Sequence, residues 1–137
     1  MTLWSATEAV AATGGVNTRS WRAHGVSIDS RTLEADDLFI AVRGPRFDGH
    51  DFVSQGFDAG AAAAMVSRRP PELGGQTPLL MVDDTDRALA ALAAAARLRT
   101  GARIAAITGS VGKTGTKDAL RLALSEQGRT AASAGSL

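Results

Sequence analysis

Short apolar runs alternate with helix-like segments along this chain, and this alternation limits the folds that it can adopt. The runs that resemble strands occupy 25–29, 37–44, 61–66, 79–84 and 102–108. The clearest helical pattern covers 84–100, where Leu89, Leu92 and Ala96 share one face and Gly101 follows as a stop signal. Strands separated by helices favour parallel pairing with helices on the faces of the sheet, so we predict an α/β fold.

Capping signals place the remaining helices. Ser5 and Glu8 have the spacing of a capping box, which predicts a short helix that stops at Gly14. Asp84 is the expected cap of the long helix. Further helices are predicted over 51–59 and 113–127, a loop over 68–78 and a last strand beginning in 129–133.

Composition and charge exclude several classes of protein. The 137 residues are 45% apolar with a formal net charge of +1 and no run of like charges, which gives no support to nucleic-acid binding. The lack of cysteine excludes disulfides and thiolate metal sites. The sequence starts without a signal peptide, and the alanine-rich stretch 88–96 is too short to span a bilayer. We therefore expect a cytoplasmic protein without membrane insertion.

A glycine-rich loop, "TGSVGKTG" at 108–115, lies between the apolar run 102–108 and the predicted helix 113–127. Glycines let the backbone approach phosphate oxygens, and a helix N-terminus adds free amides and partial positive charge. Lys113 could reach the outer phosphates of a nucleotide, and the hydroxyl of Thr114 could help to hold Mg²⁺. The loop therefore predicts a site for the phosphates of a nucleotide, with Mg²⁺.

The spacing of this loop differs from the common phosphate-binding pattern. G-x-x-x-x-G-K-[ST] needs glycine at position 107, where this chain has Ile107, and the first glycine is Gly109. The alternative is a plain strand-to-helix turn. Gly-Lys-Thr between an apolar run and a helix is uncommon in such turns, so we favour the nucleotide site.

The sequence "TGSVGKTGTK" resembles the ATP loop of the Mur ligase family, which usually reads T-G-[ST]-x-G-K-T-[TS]-[TV]. Gly115 departs from this pattern, which removes a hydroxyl near the metal and loosens the first helical turn. The resemblance implies a catalytic role for Lys113, a metal-binding role for Thr114, and a set of ATP-binding residues. These are Gly109, Ser110, Val111, Gly112, Lys113, Thr114 and Gly115.

The segment 27–52, "SIDSRTLEADDLFIAVRGPRFDGHDF", resembles the family's N-terminal domain, which binds the UDP part of UDP-N-acetylmuramoyl-peptides. Ala35, Asp36 and Asp37 stand where Pro-Gly-Asp is common. The implied substrate-binding residues are Ser30, Arg31, Gly49, His50 and Asp51.

Chemistry suggests a role for each of these substrate-binding candidates. Ser30 can hydrogen-bond a uracil or ribose edge, and Arg31 can pair with diphosphate. Backbone amides at Gly49 and His50 could meet an anion ahead of a helix. The alternative is that Arg31 is a surface charge, Ser30 a turn residue and Asp51 a cap.

Within the family, "DGHDF", "VDDT" and Lys117 favour the member that adds D-alanyl-D-alanine to UDP-N-acetylmuramoyl-tripeptide. The neighbouring tripeptide synthetase remains the alternative. The resemblance implies that ATP phosphorylates the terminal carboxylate of the UDP-linked peptide, and that the incoming amine then attacks the acyl phosphate.

The resemblance also implies two domains, a substrate-binding domain at 1–83 and the first βα unit of an ATPase domain at 84–137. Further magnesium ligands, a modified lysine and a C-terminal domain have no counterpart here, so we expect a truncated, monomeric ligase that is inactive alone. Two alternatives stay open: a stand-alone binding module for UDP-sugar-peptides, and an unrelated phosphate-loop regulator or kinase fragment.

Overall fold

A computed structural model describes residues 1–133 of the chain and divides it into two compact units. The first unit is Met1–Thr100, and the second begins at Gly101. The strands are β1 (Trp4–Ser5), β2 (Val16–Asn17), β3 (Arg22–Ala23), β4 (Gly25–Ser27), β5 (Asp37–Ile40), β6 (Ala63–Val66) and β7 (Leu79–Met81). The α-helices are α1 (Ala6–Thr13), α2 (Val53–Asp58), α3 (Thr85–Leu98) and α4 (Lys113–Ser125), with a 3₁₀ helix at Gly49–Phe52.

The first unit is built on a five-stranded sheet with the order β2-β7-β6-β5-β4. Strands β4 to β7 pair in parallel, and β2 adds an antiparallel edge beside β7. A separate two-stranded ribbon joins β1 to β3. The 3₁₀ helix and α2 form the crossover between the parallel strands β5 and β6, and the predicted α/β class is confirmed.

Both faces of the central strands are covered, which explains why their sequences are continuously apolar. Alternate residues of β5 point to opposite faces: Leu38 and Ile40 join the core cluster that includes α1 and α3, whereas Phe39 joins the cluster on the other face with Val53 of α2. Each of these side chains is at most 1% exposed, and burying one stabilises the fold by about 1.5–3 kcal/mol.

The predicted caps are confirmed. The Ser5 amide donates to Oε2 of Glu8 at 2.9 Å, and the Glu8 amide donates back to Oγ of Ser5 at 3.3 Å. Helix α1 ends where Gly14 adopts a φ of 71°, the left-handed conformation that favours glycine. The Asp84 carboxylate accepts from the amide of Arg87 at 2.8 Å and begins α3.

The structure divides the chain after Thr100 and not at the boundary predicted near 83–84. The reason is that α3 belongs to the core of the first unit. It packs against α1 and buries Ala88 and Leu92, which are 5% and 2% exposed.

Two predicted strands are not formed within the residues that the structure describes. Neither 102–108 nor 129–133 forms a strand, and Ile104 is 65% exposed. A strand requires a partner for its backbone groups, and no strand lies within residues 101–133. Helix α4, by contrast, forms from local hydrogen bonds and confirms the helix predicted at 113–127.

None of the helices within residues 1–133 is both long enough and apolar enough to cross a lipid bilayer.

Candidate functional site

Arginines gather where the parallel strands end. Arg31 follows β4, Arg43 and Arg46 follow β5, and Arg68 follows β6. The carboxyl ends of parallel strands meet at the same edge of a sheet, which is the usual ligand-binding edge of open α/β folds. The topology therefore places four guanidinium groups along the edge where a ligand is expected.

Three of these arginines line a shallow, open cleft of about 590 Å³. The full lining is Arg43, Gly44, Arg46, Phe47, Asp48 and Arg68. Asp48 is the single acidic side chain among them, so the cleft carries a net positive charge. Phe47 is 69% exposed beside the guanidinium groups. An aromatic face next to arginines suits a ligand that combines a planar ring with phosphates.

A tight loop builds one wall of the cleft. Arg43 and Asp48 form an isolated antiparallel bridge, and the Gly44 amide donates to the Phe47 carbonyl at 2.8 Å. The loop closes where the Gly49 amide donates to the Val42 carbonyl at 2.9 Å. These bonds close the loop, and its tip carries the exposed Arg46 and Phe47.

Asp48 ties the walls of the cleft together. Its Oδ2 accepts from Nη1 of Arg68 at 3.0 Å and lies 3.7 Å from Nε of Arg43. Its Oδ1 accepts from the backbone amide of His50 at 3.0 Å. Burial pushes the pKa of Asp48 upward, but the His50 hydrogen bonds and the charge of Arg68 outweigh it and hold this pKa below its usual value.

The ring of His50 is buried, and both of its nitrogens have partners within the protein. The residue is 3% exposed, its Nδ1 lies 2.5 Å from Oδ1 of Asp48, and its Nε2 accepts from the Ser67 amide at 2.9 Å. Because a backbone amide can only donate, these partners place the ring proton on Nδ1. The ring is therefore fully used inside the protein.

The amides at the 3₁₀ helix are used internally as well. Those of Gly49, His50 and Asp51 donate respectively to the Val42 carbonyl, the Asp48 carboxylate and the Asp48 carbonyl. The prediction that Gly49 and His50 offer free amides to an anion is not met in this structure, because the tight loop needs those donors. The Asp51 side chain is exposed, 3.7 Å from Nη2 of Arg68.

Ser30 and Arg31 lie outside the lining of the cleft. Arg31 folds back on Asp29, with Nε 2.9 Å from Oδ1 and Nη2 2.6 Å from Oδ2. These hydrogen bonds, from the guanidinium and the Arg31 amide, lower the pKa of Asp29 to about 2. Ser30 is half-buried in the same turn. Part of the positive charge of Arg31 is thus neutralised before any ligand arrives.

The glycine loop of the second unit closes around its lysine. Lys113 Nζ donates to the Gly109 carbonyl at 2.6 Å, so the ammonium group occupies the mouth of the loop. Gly109 and Gly112 have φ values of 149° and 78°, which L side chains rarely adopt. Gly112 caps α4, and Lys113 is the first helical residue. Glycine freedom, a helix N-terminus and a lysine together suit a bound phosphate.

Gly115 lies inside the first turn of α4, and a Cβ built there would meet nothing within 4 Å. Ser110, Val111 and Thr114 are exposed on the same loop. Within residues 1–133, no cluster of three or more His, Asp or Glu side chains could hold a metal ion by itself.

Four residues of the cleft were not predicted as site residues from the sequence: Arg43, Arg46, Phe47 and Arg68. A usable signal was present, since each follows a buried apolar strand within a few residues, and side chains at the ends of parallel strands share one edge. What the sequence alone does not reveal is that Asp48 joins two of these loops.

Comparisons with known proteins identify the family to which the first unit is similar. The model of the Mur ligase family, catalytic domain, matches residues 22–97, which include the whole arginine cleft. The UDP-N-acetylmuramoyl-tripeptide–D-alanyl-D-alanine ligase of Bacillus subtilis is 46% identical over 77% of this chain and 23% of its own length. The Escherichia coli enzyme of the same name is 44% identical over 82% of this chain and 24% of its own.

A ligase of different specificity is also similar. The UDP-N-acetylmuramoyl-L-alanyl-D-glutamate–2,6-diaminopimelate ligase of Syntrophomonas wolfei is 40% identical over 82% of this chain and 23% of its own length. The chain therefore spans about a quarter of the length of the curated relatives that it matches.

Solved structures show the same fold. MurF from Acinetobacter baumannii superposes with a TM-score of 0.75 and 35% identity, over 90% of this chain and 28% of that one. MurF from Thermotoga maritima in complex with ADP gives a TM-score of 0.57 and 31% identity, over 74% of this chain and 23% of that one. Since the family model covers more than half of the chain, the chain belongs to the Mur ligase family.

Proposed function

We propose that this chain supplies the substrate-binding region and the ATP loop of a ligase that adds D-alanyl-D-alanine to UDP-N-acetylmuramoyl-tripeptide. The observation that carries the proposal is the arginine cleft, which lies within the region shared with ligases of that name. The position of the cleft at the ligand-binding edge of the sheet and the names of the relatives both favour a UDP-linked substrate.

The cleft has the chemistry for a UDP group. A diphosphate carries two negative charges, and guanidinium groups bind phosphate oxygens through paired, charge-assisted hydrogen bonds. Arg43, Arg46 and Arg68 supply these groups, and the exposed ring of Phe47 offers a face for the uracil. Ser30 and Arg31 are further contacts in this proposal, provided that the ligand competes with Asp29 for Arg31.

The loop 109–115 binds ATP in this proposal. The phosphates would take the place of the Gly109 carbonyl as the partner of Lys113, which is the catalytic lysine, and the amides of α4 would donate to them. The Thr114 hydroxyl would be one ligand of Mg²⁺, and the metal would neutralise charge on the transferring phosphoryl group. The nucleotide complex of a similar MurF supports this assignment.

In the complete reaction, the terminal carboxylate of the tripeptide attacks the γ-phosphorus of ATP and ADP leaves. The amine of D-alanyl-D-alanine then attacks the acyl phosphate, inorganic phosphate leaves, and the amine loses a proton as the amide forms. Because this reaction consumes ATP, we place it in the cytoplasm, and we expect the chain to act as a monomer. The diaminopimelate-adding ligase is the second candidate, supported by the 40% identical relative.

Isothermal titration of the whole chain with UDP tests the substrate site. We expect UDP to bind, uridine to bind far more weakly because it lacks the diphosphate, and added salt to weaken UDP binding. Arg43→Ala should reduce the affinity, whereas Arg121→Ala on α4 serves as a matched control and should not. Equal affinity for UDP and uridine, or no binding of either, would argue against the proposal.

A second titration separates the two candidate ligases. UDP-N-acetylmuramoyl-tripeptide and the corresponding dipeptide, each added to the same chain, should both bind through the UDP group. A higher affinity for the tripeptide supports the D-alanyl-D-alanine ligase, and a higher affinity for the dipeptide supports the diaminopimelate ligase.

A further inference from the structure

His50 joins the two loops that carry the cleft arginines. It follows the loop that bears Arg43 and Arg46, and its Nε2 accepts from the amide of Ser67, the residue before Arg68. Oγ of Ser67 lies 3.1 Å from the same nitrogen. A single buried ring therefore connects segments that are 17 residues apart in the sequence.

The other ring nitrogen holds Asp48 in one orientation. Nδ1 of His50 and the His50 amide both donate to Oδ1 of Asp48, which leaves Oδ2 directed at Arg68 and Arg43. The Asp48 side chain is 29% exposed, whereas that of His50 is 1% exposed. The carboxylate thus faces the cleft while its support lies in the interior.

We infer that His50 is a positioning residue for the substrate site, which fixes Asp48 and, through it, the guanidinium groups of Arg43 and Arg68. The inference rests on the proposed function, since it concerns how the same cleft binds the UDP group. Without this support, the exposed arginine side chains would have to be ordered when the ligand binds, and ordering them costs affinity.

Two substitutions of His50 each remove one of the two hydrogen bonds that its ring makes, so their effects can be measured separately. His50→Gln can place an acceptor near the Nε2 position and keep the bond from Ser67, but it lacks a donor at the Nδ1 position. His50→Asn can place a donor near Nδ1 and keep Asp48 in place, but it does not reach Ser67. Because the chain has two histidines, His24→Gln at an exposed position is a matched control.

The test is the affinity of the whole chain and its variants for UDP, with folding checked by NMR. We expect His50→Gln to weaken UDP binding by about three- to tenfold, the size expected when one typical net hydrogen bond is lost. His50→Asn should retain most of the affinity, and His24→Gln should retain all of it. A merely structural His50 would instead lower the melting temperature and leave the affinity of the folded protein unchanged.

A double-mutant cycle with Arg68→Ala provides the second readout. If His50 acts through Asp48 and Arg68, His50→Gln should cost much less affinity in the Arg68→Ala background than in the original chain. Additive losses would overturn the inference. If His50→Gln does not fold, Asp48→Asn replaces it in the cycle with the same expectation, because it weakens the hold on both arginines.

The outcomes distinguish a failure of the His50 inference from a failure of the proposed function, which is binding of the UDP group in the arginine cleft. If the original chain does not bind UDP, both fail. If it binds UDP and folded His50→Gln binds equally well, the inference alone fails.

Discussion

Gly49 lies so close to Val42 that a Cβ on the glycine would be 2.7 Å from the Val42 carbonyl oxygen. The backbone of Ala41 is equally close, at 2.8 Å. Backbone atoms cannot move aside as the end of a side chain can, so glycine is required where the loop returns to the sheet. At this point the Gly49 amide donates to the Val42 carbonyl at 2.9 Å, and this hydrogen bond closes the loop of the arginine cleft.

Gly49→Ala should therefore destabilise the first unit by about 1–3 kcal/mol, the usual cost of forcing extra atoms into a packed site. It should also weaken UDP binding, because the loop carries Arg46 and Phe47. Urea denaturation and titration with UDP measure the two effects. Gly74→Ala is the control, since its Cβ would meet nothing within 4 Å, and equal stability of the two variants would contradict this account.

Arg99 stabilises the end of α3 through Trp4. Its guanidinium carbon lies 3.8 Å from the centroid of the Trp4 ring, and its Nη1 donates to the Leu3 carbonyl at 3.1 Å. The side chain is 39% exposed, so we expect Arg99→Ala to cost only about 0.5–1 kcal/mol. Thermal unfolding measures this loss. Arg99→Lys keeps the charge without the planar group, and full stability of that variant would show that stacking does not matter.

The Asp29–Arg31 pair predicts a pH dependence at the candidate ligand edge. The pKa of Asp29 falls from 3.8 to about 2 because of its hydrogen bonds with Arg31. A carboxyl whose folded pKa is lowered contributes stability above its unfolded pKa, and this contribution is lost as the pH falls from 3.8 through about 2.

Carbon-detected NMR of the Asp29 carboxyl tests this pair. The titration midpoint should lie near 2 in the original chain and return towards 3.8 in Arg31→Ala. Arg22→Ala leaves the pair intact and should leave the midpoint unchanged. A midpoint near 3.8 in the original chain would contradict the ion pair.

Gly115→Ala should stabilise α4 by about 0.5–1 kcal/mol, because alanine loses less backbone freedom than glycine in a helix. There is room for the methyl group. Hydrogen exchange of the α4 amides measures the change. Gly128→Ala, after the helix, is the matched control with equal free space, and the account fails if both variants change protection alike.

Local signals in the sequence predicted much of the fold. The Ser5–Glu8 capping box, the Gly14 stop and the Asp84 cap depend on neighbouring residues, and all three are observed. The strand predicted at 102–108 depended on a distant partner, which residues 101–133 do not supply. Strands of two residues such as β1 carry too short a pattern to be recognised.

The candidate sites show the same difference between local signals, which the sequence reveals, and contacts between distant residues, which it does not. The glycine loop was readable because its residues are contiguous and its conformation is local. His50 was predicted as a ligand contact from its place in "DGHDF", yet its bond to Ser67 lies 17 residues away and turns it into an internal support. The cleft arginines are brought together by the order of the strands, which no single segment encodes.

The most direct test of the central claim is residue-resolved NMR of this chain during titration with UDP-N-acetylmuramoyl-tripeptide, with the arginine side chains observed through their Nε–H groups. We expect the largest changes at Arg43, Arg46, Phe47 and Arg68. Changes confined to the loop 109–115, or no saturable change at the cleft, would contradict it.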